Sequence, residues 1–111
     1  MKNKSNNFAY IDGANLYRGV ESLGWKLDYR RLRVWLSEKY GVKIVSSDGD
    51  YAGLVKFLKE HGKFKIILSP HTKDLCSILL KRTNAPIAYL NDQKSILRVR
   101  KEKAPDADKT A

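Results

Sequence analysis

The 111 residues, 42% of them hydrophobic, suffice for one compact domain around one core and leave no room for a second. Twenty-two Lys and Arg against twelve Asp and Glu give a net charge of +10, a field that attracts polyanions and makes nucleic acid the first partner to consider. A lone cysteine, Cys76, excludes an internal disulfide, and no stretch reaches the roughly 20 apolar residues of a membrane span or forms a signal peptide, so a cytoplasmic protein away from the membrane is expected.

Residues 1–7 are polar and read as a flexible N-terminus. FAYID (8–12) makes a short strand that stops at Asp12 and Gly13, and ANLYRGVESLG leads into a short helix ended by Gly24. In DYRRLRVWLSEKY (28–40), Tyr29, Leu32, Trp35 and Leu36 recur at helical spacing, with Asp28 as N-cap, Gly41 past the end, and Arg30, Arg31, Arg33 and Lys39 off the apolar stripe. VKIVSS (42–47) is the second strand. Residues 51–61 form a helix with Leu54, Val55 and Leu58 inward and Gly62 as its stop. KIILS (65–69) is the third strand, residues 73–82 a helix, PIAYL (86–90) the fourth strand, and 92–100 a final helical segment. The folded domain spans 8–100, and the charged segment KEKAPDADKTA (101–111), without apolar periodicity, reads as a disordered tail.

Strands alternating with helices of about ten residues specify an α/β fold with a mainly parallel sheet of four strands. Functional crevices of such sheets lie beyond the carboxyl ends of the strands. Asp12 ends the first strand, and Asp48 and Asp50 follow the second. With those strands as neighbours, three carboxylates converge, and their mutual repulsion calls for a cation or raised pKa values. Oxygen ligands of this kind suit Mg²⁺ or Mn²⁺, which can activate water and neutralise a phosphodiester under attack. Each aspartate also suits a local role: Asp12 as a turn residue before Gly13, Asp48 and Asp50 as turn and helix cap. Asn15 can orient the Asp12 carboxylate, meet a phosphate, or cap its helix.

Ser46, Ser47 and Ser69 place hydroxyls at strand ends, where a plain strand-end role suits all three and Ser47 is also a candidate to meet a bound strand of nucleic acid. Lys26, Arg30, Arg31, Lys56 and Lys59 are candidates to grip its backbone, or simply solvated helix faces. His61 and His71 follow no metal-ligand spacing, Cys76 sits in an apolar run and reads as core, and no glycine-rich phosphate loop occurs.

FAYIDGANLYRGVESLGW, then IVSSDGDYAGLVKFL, then ILSPHTKDLCSILLKR and IAYLND resemble the NYN branch of the PIN-like nuclease superfamily, its bacterial LabA-like group in particular. The resemblance covers residues 8–100. It implies a three-layer α/β/α domain and a metal-dependent ribonuclease acting on RNA, single-stranded RNA above all, with Mg²⁺ or Mn²⁺. Asp12 matches the first acidic ligand, Asn15 its polar neighbour, and Asp48 and Asp50 the later acidic pair. The departure lies between Tyr40 and Ile44, where family members carry two more strands, a helix and a further acidic Asp-x-x-Leu segment. A catalytically impaired nucleic-acid-binding or interaction module on the same scaffold is therefore the alternative.

Removing that middle turns the first strand into a sheet edge. Right-handed crossovers repeated in one direction would also put every helix on one face. Yet Ile66 and Leu68 oppose Ile67, and Ile87 and Tyr89 oppose Ala88 and Leu90, so both faces call for cover. A homodimer or higher homo-oligomer is expected to supply it; in a monomer the first helices would take the vacant face by an unusual connection.

Overall fold

The computed structural model describes residues 7–100. The flexible N-terminus expected over 1–7 lies outside them except for Asn7, as does all of the tail expected over 101–111. Four strands, β1 (Ala9–Ile11), β2 (Val42–Val45), β3 (Phe64–Ser69) and β4 (Ile87–Tyr89), pair in parallel in the order β1-β2-β3-β4. Their register lines up Tyr10, Ile44, Ile67 and Ile87 in one row and Ile11, Val45, Leu68 and Ala88 in the next.

The helices are α1 (Gly13–Glu21), α2 (Tyr29–Glu38), α3 (Ala52–Glu60), α4 (Ile78–Lys81) and α5 (Lys94–Leu97). Asp12 caps α1, and Asp28 caps α2 by accepting hydrogen bonds from the backbone N–H of Arg30 at 2.9 Å and Arg31 at 3.2 Å. Each such cap stabilises a helix by about 1 kcal/mol. Gly41, just past α2, has φ +124°, a conformation open to glycine and strained for other residues.

Alternation along the strands divides the core into two clusters. Val45 and Leu68 pack with Leu16, Leu32, Trp35, Leu36 and Leu97 beneath α1, α2 and α5. Ile44 and Ile67 pack with Val55, Cys76 and Leu80 beneath α3 and α4. Burial of each large apolar side chain contributes about 1.5–3 kcal/mol, so the two layers both hold the sheet. The expected three-layer α/β/α architecture is the one observed, and Cys76 is a core residue.

Along a sheet ordered β1-β2-β3-β4, connections of the same hand lie on the same face. The β2 to β3 and β3 to β4 connections both use the α3/α4 face, whereas β1 to β2 uses the other. The first crossover therefore has the opposite hand to the two that follow, so at least one is left-handed against a strong general preference. No face of the sheet is left bare, which removes face-covering as a reason for two chains to associate. The first helices do that work. β1 remains an edge strand, with Phe8, Tyr10 and Ile11 exposed.

Three local expectations need correcting. Residues 73–82 form a 3-10 turn (Lys73–Leu75) and the short α4 instead of one helix. Between them Cys76 is extended and the Ser77 N–H donates to the Ser47 carbonyl at 3.0 Å, tying this segment to the end of β2. Residues 92–100 likewise split into a 3-10 turn (Leu90–Gln93) and α5, after which the backbone extends and Arg98 bridges Leu27. Tyr29, on the expected apolar stripe, is 56% exposed and lines an open groove with Ile11 at the sheet edge.

Candidate functional site at the strand ends

Chain topology locates a crevice before any side chain is considered. Leaving β1, the backbone turns to the α1/α2 face; leaving β2, it turns to the α3 face. Adjacent connections that part to opposite faces open a cleft at the carboxyl ends of the two strands. Asp12 stands on one side of it and Asp48 on the other.

Asp12 is held through its backbone and through both carboxylate oxygens. Its backbone N–H donates to Val45 O at 3.0 Å, continuing the sheet. One carboxylate oxygen accepts from the Asn15 N–H at 3.2 Å, and the other from Ser46 Oγ at 3.2 Å. Ser46 Oγ in turn accepts from the Asp48 N–H at 3.0 Å, so one fully buried hydroxyl links the two halves of the crevice. Asp48 Oδ1 caps the following 3-10 turn (Gly49–Tyr51) by accepting from the Asp50 N–H at 3.0 Å. The turn and cap roles foreseen for Asp12 and Asp48 are thus real, and they coexist with the convergence of the two residues.

The Tyr51 phenol reports that convergence. Burial raises its pKa above the ordinary 10.0, and the negative charges of Asp12, Asp48 and Asp50 raise it further. All three aspartates therefore bear on one hydroxyl. Among the described residues, however, no three His, Cys, Asp or Glu side chains form a group that could hold a metal ion. What the crevice offers is the Asp12 and Asp48 pair, which matches the one or two carboxylates Mg²⁺ takes when it keeps most of its waters.

Beside this pair lies a second chain of hydrogen bonds. Asn15, 8% exposed, accepts through Oδ1 from the Ser47 N–H at 2.9 Å and from Ser47 Oγ at 3.0 Å. Ser47 Oγ also meets His71 Nδ1 at 2.8 Å. His71 follows β3 by two residues and has its carbonyl fixed by Ser69 Oγ at 2.8 Å. Sequence spacing alone passed over His71. The signal that would have found it is its place after the strand next to β2, on the same edge as the aspartates.

The basic residues are dispersed. Arg30 and Arg31 line a cavity of about 530 Å³ with Asp28 and Glu38, where Arg31 pairs with Asp28 at 3.5 Å. Arg30 also lines a groove of about 340 Å³ with Ile11 and reaches the β1 edge. Lys56 and Lys59 line a cavity of about 490 Å³ with Arg82 on the α3/α4 face, and Lys59 Nζ donates to Thr83 O at 2.8 Å. Lys26 is exposed next to the Leu27 and Arg98 bridge. These five do not form one strip. No family model, no curated protein and no solved structure matches the chain.

Proposed function

We propose that the chain is a divalent-metal-dependent endoribonuclease of PIN/NYN type that hydrolyses phosphodiester bonds of single-stranded RNA. The observation that carries this reading is the meeting of Asp12 and Asp48 at the point where the connections after β1 and β2 part, with Asp50 bearing on the same tyrosine. Asp12 and Asp48 would hold Mg²⁺ or Mn²⁺, and Asp50 would add negative charge at the rim. A metal bound there supplies neutralisation of the phosphodiester's charge and an activated water. Asn15 ties the start of α1 to Ser47 at the end of β2, and Arg30 and Arg33 line a groove with Ile11 beside β1. An acidic cluster at the strand ends of a chain of +10 would separate the two tasks of a nuclease, chemistry at the cluster and backbone attraction around it.

The setting that fits is the cytoplasm, where Cys76 stays a buried thiol. The partner that fits the exposed edge is a second copy of the chain, joined along β1.

A non-catalytic nucleic-acid-binding module is the second reading. It is favoured by the Asp12 carboxylate, both of whose oxygens already accept hydrogen bonds, and by the missing third metal ligand. Cleavage of end-labelled single-stranded RNA with Mn²⁺ or Mg²⁺ separates the two. Cutting by the wild type that is lost in the Asp12→Asn, Asp48→Asn double variant supports the enzyme. Equal behaviour of the two proteins leaves the binding module.

A further inference from the structure

We infer that His71 accepts the proton of the attacking water through Nε2, held in its Nδ1–H form by a buried relay of Ser47 and Asn15. The inference rests on the nuclease reading above and adds a residue to it that neither the carboxylates nor the basic surface supplies.

Hydrogen-bond chemistry fixes the direction of the relay. Asn15 Oδ1 accepts the Ser47 backbone N–H at 2.9 Å, which orients the amide, because turning it over would set NH₂ against N–H. Ser47 Oγ lies 3.0 Å from that same oxygen, so it must donate its one proton there; otherwise two acceptors would face each other. With its proton so engaged, Ser47 Oγ meets His71 Nδ1 at 2.8 Å as an acceptor, and Nδ1 must carry the hydrogen. A neutral His71 therefore presents an unprotonated Nε2. The same direction excludes Ser47 as a nucleophile activated by His71, since its proton points to Asn15 and not to the imidazole.

Placement makes this nitrogen useful. Ser47 and Asn15 are 5% and 8% exposed, so water does not compete for the relay, whereas the His71 side is half-buried and open. Nε2 has no hydrogen-bond partner among the described residues. Ser47, which holds the ring, stands between Ser46, bonded to Asp12, and Asp48. The backbone of His71 is pinned by Ser69 Oγ, and the preceding Pro70 is wedged under Gly19 of α1. A histidine with one ring nitrogen oriented by a second group and the other free to meet water has the form of a general base.

In the step this allows, the water oxygen bonds to phosphorus while its proton passes to Nε2. The phosphorus–oxygen bond to the departing ribose breaks, and the departing oxygen takes a proton from solvent. His71 then returns its proton to solvent. The net change is water added across one phosphorus–oxygen bond.

The test has two arms. Long-range ¹H–¹⁵N NMR on the wild type reads the ring directly and needs no substrate: a neutral His71 should carry its hydrogen on Nδ1 and shift toward Nε2–H in Ser47→Ala. An Nε2–H wild-type ring overturns the relay. In the second arm, single-stranded RNA is cut by wild type, His71→Gln and Asp12→Asn with Mn²⁺. His71→Gln should lose about 100-fold in kcat with KM within twofold, the range for removing a general base. Full activity in His71→Gln with none in Asp12→Asn overturns the role of His71 and leaves the nuclease standing. A wild type that cuts nothing overturns both.

Discussion

Gly19 and Pro70 touch so closely that a β-carbon on Gly19 would lie 2.6 Å from both Cβ and the carbonyl oxygen of Pro70. Backbone is on one side of that contact and a rigid ring on the other, so neither gives way easily. Gly19→Ala should destabilise the fold by about 1–3 kcal/mol, as overpacking does. Urea denaturation measures the loss, and the His71 ring resonances should move with it because Pro70 precedes that residue. Unchanged stability would mean that α1 sits farther from the β3 end than described.

Asp12 both caps α1 and faces the crevice, and two substitutions separate these duties. Asp12→Asn keeps a side-chain acceptor for the Asn15 N–H and removes the charge. Its stability should stay within about 0.5 kcal/mol of wild type while Mn²⁺ binding is lost. Asp12→Ala should lose the binding and also about 0.5–2 kcal/mol of stability, the usual range for a lost cap. Thermal melting beside a Mn²⁺ titration checks both.

Tyr51 supplies a readout of the carboxylates that needs no RNA. Its pKa stands above the ordinary 10.0, through burial first and then Asp12, Asp48 and Asp50. A phenol with a raised folded pKa favours the neutral form in the native state, so the unfolded chain ionises first and stability from this group falls as pH rises beyond 10.0. Ultraviolet titration of wild type minus Tyr51→Phe isolates its curve. Asp12→Asn, or saturating Mn²⁺ on the wild type, should move that curve toward lower pH.

Lys43 is a charge in the sheet interior. It is fully buried on β2, where Nζ donates to the Lys39 carbonyl at 2.7 Å and to Asn7 Oδ1, and burial lowers its pKa from 10.5. A lysine with a depressed folded pKa disfavours folding while charged, and the penalty is relieved as pH climbs from the folded value to 10.5. Lys43→Met should therefore be more stable than wild type near neutral pH, with an advantage of about 1–2 kcal/mol that shrinks in alkali. Chemical denaturation at pH 7 and pH 10 tests the trend; a variant weaker than wild type at pH 7 would show that the two hydrogen bonds outweigh the buried charge.

Ile11, half exposed on the edge strand, tests self-association. Sedimentation velocity should find a dimer for wild type and a monomer for Ile11→Lys, because a charge on an edge opposes strand pairing. A wild type that stays monomeric at high concentration overturns the dimer.

Much of the fold was legible because its signals are local. Alternation in Ile66, Ile67 and Leu68 announced a sheet covered on both faces, and these residues do divide between the two clusters. Asp28 announced the start of α2, and Gly41 its end. What sequence could not give was nonlocal. The reversed hand of the first crossover follows from which face α1 and α2 find free. The break at Cys76 follows from a bond between Ser77 and the distant Ser47. In the site, Asp12 and Asp48 were visible as residues that end strands. His71 was not, because a histidine gains its role here from Ser47 and Asn15, 24 and 56 positions away.

The two core clusters differ in which parts of the chain build them. All buried members of the α3/α4 cluster fall between Ile44 and Ala85, whereas the opposite layer joins Leu16 and Leu32 to Leu90 and Leu97. During vectorial synthesis the first of these layers can assemble while residues after 90 are still being added. The second must wait: α1 and α2 are made before the other helices, yet Leu97, which completes their cover, is made after all four strands. The helices made first are thus the last to be fully enclosed, and in a nascent chain their apolar stripe is the surface a chaperone would meet.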